Sequence, residues 1–340
     1  MWRAKVLTAV AAVLASALPA CGSDDNTITI AYAHQSNLNF LPVVLADRLG
    51  FFAQQGVQVE IDNLRDNGQS TTALLSGEAE AMAGFYESLC ELRAKGKQVE
   101  SVASLTSSPG MAVMARPDGG VRGPADFRDR AFGVTYLGGV TKHLADYLSV
   151  HSGVPIDRVH YTPVASGSTL VAAVERHRVD PVMASEPVIS ALTTRGLAVP
   201  AVDLRTPEAA RAALGGPYPG TSVVMRNEWV RTHEATAQKV VNGVYAGLQW
   251  ARAHSGEQIA DVVPPDFYAG VGKEEYARAL DGEKGMFNPS GELSPEGQQN
   301  VLRILSTVDP EERGRDLDIP NSSTDKYVQQ AARTLKGGWR

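Results

Sequence analysis

The sequence predicts an α/β protein built as two similar lobes that face each other. Three observations carry that prediction. Residues 67–88 read as helix start, helix, stop, buried strand and loop. Residues 166–187 repeat the same arrangement further along the chain. The breaker cluster 215–220 then precedes a β-prone run at 221–225, which is the pattern of a chain crossing back to where it began.

With 340 residues, 43% of them hydrophobic and 21% charged, the chain has room for two domains and an ordinary globular composition. The net charge of −6 and the lack of a basic stripe argue against a nucleic-acid partner.

Residues 1–20 read as a targeting segment. Arg3 and Lys5 give a basic start, and the uncharged run 6–18 is too short to span a bilayer comfortably. Leu18-Pro19-Ala20-Cys21 resembles a bacterial lipoprotein signal, with Cys21 as the lipidated residue and the polar residues 22–26 as a tether. Cleavage after Ala20 without lipidation is the alternative. The second cysteine, Cys90, then has no partner, so no disulfide is expected. The histidines are scattered and neither HExxH nor CxxC occurs, so no metal, no cofactor and no nucleophilic triad is expected.

Residues 27–32 alternate and are β-prone, and the polar residues 33–37 form a loop at the carboxyl end of that strand. Residues 40–52 read as a helix with Pro42 in its first turn, where a missing N–H is tolerated. Residues 57–61 form the second strand. In 67–88, Gly68, Gln69, Ser70 and Thr71 open a helix, Gly77 stops it, and 81–83 run as a buried strand into Gly84-Phe85-Tyr86-Glu87. A helix at 87–95 follows, then strands at 99–105 and 111–115, the latter leaving the first lobe. A turn and short helix at 119–130 lead to a strand at 131–134. The glycine-containing loop 135–141 opens a helix at 141–151. No GxxxxGK[ST] is present, which argues against nucleotide binding. After a strand at 159–162 comes the second focal unit, in which Gly167-Ser168-Thr169 opens the helix, 182–184 is the strand and 185–187 the loop. Residues 196–202 read as a strand. The helical stretches 229–253, 273–280, 295–306 and 322–335 are expected to pack mainly on the first lobe. The expected organisation is a signal peptide at 1–20, a lipidated cysteine and tether at 21–26, lobe I from 27–115 and 220–340, and lobe II from 116–219.

Four motifs in this order carry a family resemblance. They are Leu45-Ala46-Asp47-Arg48-Leu49-Gly50-Phe51-Phe52 with Gly56-Val57-Gln58-Val59-Glu60, then Ala73-Leu74-Leu75-Ser76-Gly77-Glu78-Ala79-Glu80-Ala81, with Glu80 where the family has aspartate. The third is Ala172-Ala173-Val174-Glu175-Arg176-His177-Arg178-Val179-Asp180, where His177 replaces the usual glycine, and the fourth is Ser185-Glu186-Pro187. The chain resembles the periplasmic substrate-binding proteins of nitrate/sulfonate/taurine-type ABC transporters, a group that includes thiamine-pyrimidine-precursor binders. The resemblance covers residues 27 to about 225. It implies a type II periplasmic-binding-protein fold, with two mostly parallel sheets flanked by helices, two crossing segments and a ligand between the lobes. It also implies an ABC permease and its ATPase as partners, and a place in the cell envelope, in the periplasm or on the outer face of the cytoplasmic membrane.

Strand ends and helix starts meet at one edge of an open α/β sheet, and that edge is where ligands bind. By this rule lobe I would contribute His34 and Asn37 from the first loop, with Gln69, Ser70 and Thr71 from the focal helix start. Tyr86, Glu87 and Ser107 would join them. Lobe II would add Tyr136, Gly138, Gly139 and Thr141, then Ser168, Ser185 and Glu186. Competing roles stay open. Ser70, Thr141 and Ser168 could each cap their own helix. Gly138-Gly139 could be a plain turn, Tyr86 a packed residue, His34 solvent-facing and Glu186 bonded only to protein. A buried carboxylate at Glu87 or Glu186 repels a bare anion but suits a ligand amine, and Lys142 could complement either.

These features lead to the expectation of a lipid-anchored, monomeric solute-binding protein that delivers a small organic anion or zwitterion to an ABC importer. A binder of a thiamine-pyrimidine precursor or related heterocycle and a sensory ligand-binding domain are the alternatives. An enzyme is not expected, because the related thiamine-pyrimidine synthases use a cofactor-linking lysine and a cysteine-rich motif. This chain has no cysteine cluster and no lysine near the first-lobe pocket before Lys95.

Overall fold

Two five-stranded sheets organise the molecule. A computed structural model describes residues 27–33, 36–308 and 321–335. The targeting segment, Cys21 and its tether, and His34 lie outside the described residues.

The first sheet contains β1 (Thr27–Ala33), β2 (Gln58–Leu64), β3 (Ala81–Phe85), β4 (Val99–Ser104) and β10 (Thr221–Arg226), in the order β2-β1-β3-β10-β4. The second contains β5 (Met111–Ala115), β6 (Ala131–Val134), β7 (His160–Pro163), β8 (Val182–Ser185) and β9 (Val199–Leu204), in the order β7-β6-β8-β5-β9. The two orders are the same pattern. In each sheet the strand that arrives from the other lobe, β10 or β5, inserts antiparallel between two strands that run the opposite way. The remaining pairings, β1 with β2 and β3, and β6 with β7 and β8, are parallel. Each lobe is therefore the mostly parallel α/β sheet that the sequence predicts, with one exchanged strand.

That exchange moves one boundary. The sequence reading keeps 111–115 in the first lobe, whereas β5 pairs with β8 and β9 in the second. All five of its residues are apolar and buried, so the strand needs cover on both faces, and the position between β8 and β9 supplies that cover together with partners on both edges. The first crossing is thus 105–110, and the second runs from 205 to 220.

The two crossings run side by side. Gly220 N–H donates to the Thr106 carbonyl at 3.0 Å, and Thr221 N–H donates to Thr106 Oγ1 at 2.8 Å. A Cβ at Gly220 would stand 2.1 Å from the Ser108 carbonyl oxygen, so this contact requires glycine. Buried hydroxyls of Thr106, in the first crossing, and Thr221, at the start of β10, meet at 3.1 Å.

The C-terminal helices lie mainly on the first sheet's side. The helix Glu234–Ala253 crosses Leu41–Arg48 so closely that a Cβ on Gly247 would lie 2.2 Å from the Pro42 carbonyl oxygen. The stretch expected as one helix at 229–253 is broken at His233 into Asn227–Thr232 and Glu234–Ala253. A further helix, Gly256–Val262, is opened by a reciprocal Ser255–Gln258 capping box that the sequence reading did not use. The helix read at 40–52 is likewise two pieces, because Gly50 at φ +71° starts Phe51–Gln54 on a new axis.

Two of the motif residues show local roles. The Glu80 carboxylate accepts from Thr29 N–H at 2.8 Å and so ties the end of the focal unit to β1. His177, standing where the family has glycine, adopts φ +54°, the left-handed conformation that glycine takes without strain.

Candidate functional site

The carboxyl ends of β1 and β3 point toward those of β6 and β8, and a cavity of about 50 Å³ lies between them. On the same measure one water needs about 10–15 Å³, so the enclosed space suits a small solute. Ala33, Asn37, Phe40, Asn67, Phe85 and Ser88 line it from the first lobe. Thr135, Tyr136, Val140, Thr141, Ser166 and Leu170 line it from the second, with Met183, Ala184 and Ser185 at the end of β8 and Met111 at the start of β5.

The first-lobe wall is an aromatic stack. Tyr32 and Phe40 rings lie 5.5 Å apart and tilted, and Phe40 meets Phe85 edge-on at 6.3 Å. Asn37 caps the short turn Leu38–Phe40, its Oδ1 accepting from Asn39 N–H at 3.0 Å. That bond sets Phe40 against the cavity.

The focal helix spans Asn67–Ser76 and is capped by Asp66, whose side chain accepts from Gln69 N–H at 3.0 Å. The helix therefore starts earlier than the glycine suggests, and Asn67 rather than Gln69, Ser70 or Thr71 reaches the cavity. Gln69 is exposed and accepts from Arg65 N–H. Ser70 is buried within the lobe, and Thr71 points at the Met82 sulfur. Asn67 Nδ2 donates to Ser88 Oγ at 2.9 Å, while Asn67 Oδ1 is buried with no partner among the described residues. An amide oxygen left in that state costs about 1–3 kcal/mol unless something donates to it.

In the second lobe the loop after β6 folds over itself. Thr141 Oγ1 accepts from Thr135 N–H at 3.1 Å and meets Thr135 Oγ1 at 2.9 Å. This holds the start of the helix Val140–His151 against the cavity. Tyr136 packs over Gly139, where a Cβ would stand 2.4 Å from the ring. Burial pushes the Tyr136 phenol above its ordinary range, and its neighbours across the cleft include Asn67 and the charges of Glu91 and Glu87. Tyr136 and Asn67 thus face each other from opposite lobes.

Of the residues expected at the site, Asn37, Tyr136, Thr141 and Ser185 line the cavity. Gly139 shapes it through Tyr136, and Gly138 is exposed beside it. Ser168 opens its helix on the outer face of the cleft mouth, while Ser166 is the serine that lines the cavity. Tyr86 is packed away, its hydroxyl meeting Ser322 Oγ at 2.9 Å and Gln298 Oε1 at 3.2 Å. Ser107 lies in the first crossing, its N–H donating to the Met286 carbonyl. Glu186 is 3% exposed and accepts from Ser190 N–H and Oγ–H at 3.0 Å each. Lys142 pairs with Asp146 on its own helix.

Glu87 is buried behind the cavity, one residue from Ser88, in a contact between lobes. Its carboxylate meets His143 Nδ1 at 2.7 Å and accepts from the Tyr218 hydroxyl of the second crossing. Glu91 stands 3.3 Å from the same imidazole nitrogen. Burial pulls the His143 pKa down, but the hydrogen bond and charge of Glu87, with Glu91 behind it, outweigh that and lift it to about 9. His143 is therefore an imidazolium at neutral pH. Sequence reasoning missed it because nothing local distinguishes a histidine in the first turn of a helix. It also missed Asn67, Ser88 and Phe40 as wall residues; the Asp66 N-cap was the available signal for the first of these.

Comparison with known proteins agrees with this geometry. A solved structure from Bordetella bronchiseptica RB50 superposes with a TM-score of 0.86 at 24% identity, covering 92% of this chain and 98% of that one. The periplasmic nitrate-binding protein NrtA from Synechocystis PCC 6803 superposes at 0.71 with 16% identity, over 92% of this chain and 89% of its own. At these identities the likeness establishes the periplasmic-binding-protein fold. A Bacillus subtilis (strain 168) chain named as a binding protein, YtlA, is 23% identical over 260 residues, 74% of each chain. The family model described as NMT1/THI5 like matches residues 37–258, which is more than half of the sequence. The chain belongs to the NMT1/THI5-like family.

Proposed function

We propose that this chain is a solute-binding protein that encloses one small molecule between its lobes, and that the solute is a compact, uncharged or zwitterionic molecule carrying a planar ring. The observation behind this reading is the cavity wall. Phe40, Phe85 and Tyr136 supply ring faces and edges, Asn37, Asn67 and the hydroxyls supply hydrogen bonds, and no Lys, Arg, Asp or Glu lines the cavity among the described residues. Such a wall suits a heterocycle with exocyclic donors and acceptors, a related thiamine-pyrimidine precursor included. The Asn67 amide on the wall would complement the exocyclic groups of an amino-substituted ring. The buried Glu87 and His143 and the half-buried Glu91 behind the wall sum to one negative charge, which adds a repulsion against a bare anion.

A second reading, capture of a small organic anion such as a sulfonate or nitrate, rests on the start of the helix Val140–His151. Val140 and Thr141 bring its free backbone N–H groups to the wall.

Closure around the solute would be read by an ABC permease, whose ATPase supplies the transport energy. Acylation of Cys21 would hold the protein at the cell envelope. Among the described residues no helix is long and apolar enough to cross a membrane.

Thermal unfolding against nitrate, taurine, alkanesulfonates, aromatic carboxylates and aminopyrimidines tests the assignment. A ligand at a hundred times its Kd stabilises by about 2.7 kcal/mol. Stabilisation by aminopyrimidines and not by sulfonates supports the ring reading, and the reverse result transfers the assignment to the helix start. Labelling with a radioactive fatty acid, lost in Cys21→Ala, tests the anchor.

A further inference from the structure

A second crevice lies away from the cavity, between the second lobe and the C-terminal helices. It has a volume of about 340 Å³. The helix Val188–Thr194 and the residues after β9 form one side, and the helix Lys273–Glu283 forms the other. Its charged groups are Glu186, Asp203, Arg205, Glu275, Arg278 and Glu283.

The charges do not balance. Arg278 is taken by Glu275 on its own helix. Arg205 holds Asp203 through two bonds, Nε to Oδ1 at 2.9 Å and Nη2 to Oδ2 at 2.7 Å, and spares only a long 3.4 Å contact to Glu283 Oε1. Glu186, Asp203 and Glu283 thus share a single guanidinium. Glu283 is 4% exposed, and its Oε2 is buried without a hydrogen-bond partner among the described residues. The Tyr276 hydroxyl on the same helix, within the field of Glu186, is also buried and unpartnered there. Burial raises both Glu283 and Glu186 above the usual carboxylate range, helped by the charge of Glu186 at Glu283 and of Glu275 at Glu186. A positive charge entering the crevice would relieve that.

We propose that this crevice is a second binding site, for a small organic cation that carries N–H donors, a primary ammonium or a diamine, with Glu283 as its principal acceptor. A metal ion fits less well. Tight coordination needs three or more ligand atoms converging within a few ångströms, and among the described residues the one such group is Glu87, Glu91 and His143, elsewhere in the fold. Separate N–H donors can instead meet the Glu283 and Glu186 carboxylates, which both line the crevice, one at a time. The site bears on the cavity through the chain itself, because Glu186 follows Ser185, which lines the cavity. The inference is independent of which solute the cavity holds.

Calorimetric titration of the full chain with 1,4-diaminobutane and with methylammonium tests the site. Tetramethylammonium, which has the charge but no N–H, and matched sodium chloride are the controls. The expected result is saturable binding of the N–H cations alone, weakened at least tenfold in Glu283→Gln and in Glu283→Leu. Circular dichroism shows whether each variant is folded, and the glutamine variant keeps the shape should the leucine one fail. Binding should persist unchanged in Asn67→Leu, which alters only the cavity. Absence of saturable binding, equal binding of tetramethylammonium, or unchanged affinity in Glu283→Gln overturns the proposal. None of those outcomes touches the cavity assignment, which the ring-bearing solutes test separately.

Discussion

Replacing His143 with glutamine separates the charge of the contact between lobes from its shape. Glutamine keeps a hydrogen-bond donor near Glu87 but cannot carry a proton. The imidazole pKa is raised from 6.5 to about 9, and each tenfold change in the protonation equilibrium is worth about 1.36 kcal/mol. The ion pair thus contributes about 3 kcal/mol. Because the folded pKa lies above the unfolded one, that contribution is full below pH 6.5. It declines as the pH climbs and is lost once the pH passes about 9. Lys142, the nearest like charge, works against it. Chemical denaturation of wild type and His143→Gln should therefore differ by about 3 kcal/mol at pH 6 and converge near pH 10. Taking the difference between the two proteins cancels the titration of shared groups that do not interact with His143, and leaves that of His143 with its partners Glu87 and Glu91. A constant difference across that range would refute the reasoning, since it would mean that packing and not the proton holds Glu87, His143 and Tyr218 together.

Three further perturbations address the cavity and the frame. Asn67→Leu removes the buried amide that faces Tyr136, and should lower affinity for a ring-bearing amine by about 1–3 kcal/mol with little change in the melting midpoint, measured by calorimetry and thermal unfolding. Gly139→Ala places a Cβ 2.4 Å from the Tyr136 ring, so the ring must swing away, and ligand affinity should fall while circular dichroism stays native. Gly247→Ala forces the long C-terminal helix off Pro42 and should cost about 1–3 kcal/mol in denaturant unfolding without touching the cavity. An unchanged affinity for Gly139→Ala would show that Tyr136 does not form the wall in solution.

The parts legible in the sequence were those set by local chemistry. Period-two runs at 27–32 and 57–61 became β1 and β2, and the two focal units became matching βα pieces of two sheets. Gly77 stopped its helix in the left-handed conformation, as a glycine at that position does. The position of β5 was not legible, because an all-apolar strand of five residues reads the same whether its neighbours lie behind it or ahead of it in the chain. The same limit governs the site. Asn37, Tyr136, Thr141 and Ser185 could be placed at the cavity wall because each lies at a helix start, at a strand end or in the loop that joins the two. Glu87 and Glu186 could not, since a carboxylate's role depends on what faces it, and here the facing groups are His143 and Tyr218 for one and Ser190 for the other.

That distinction also bears on the ligand. A carboxylate read from the sequence as a ligand contact would have favoured an amine by direct pairing. In the structure both carboxylates are occupied by protein donors, so they influence the cavity only at a distance. Among the described residues, the side chains that line the cavity are neutral: rings, amides, hydroxyls and aliphatic groups. Neutral walls discriminate through hydrogen-bond complementarity, because a mismatched partner leaves a buried group unpaired at about 1–3 kcal/mol. The Asn67 amide lines the cavity, so selectivity among solutes should track which of them complements it. Isosteric rings differing only in an amino group should then separate by roughly tenfold or more in Kd, whereas changes of net charge alone should matter less.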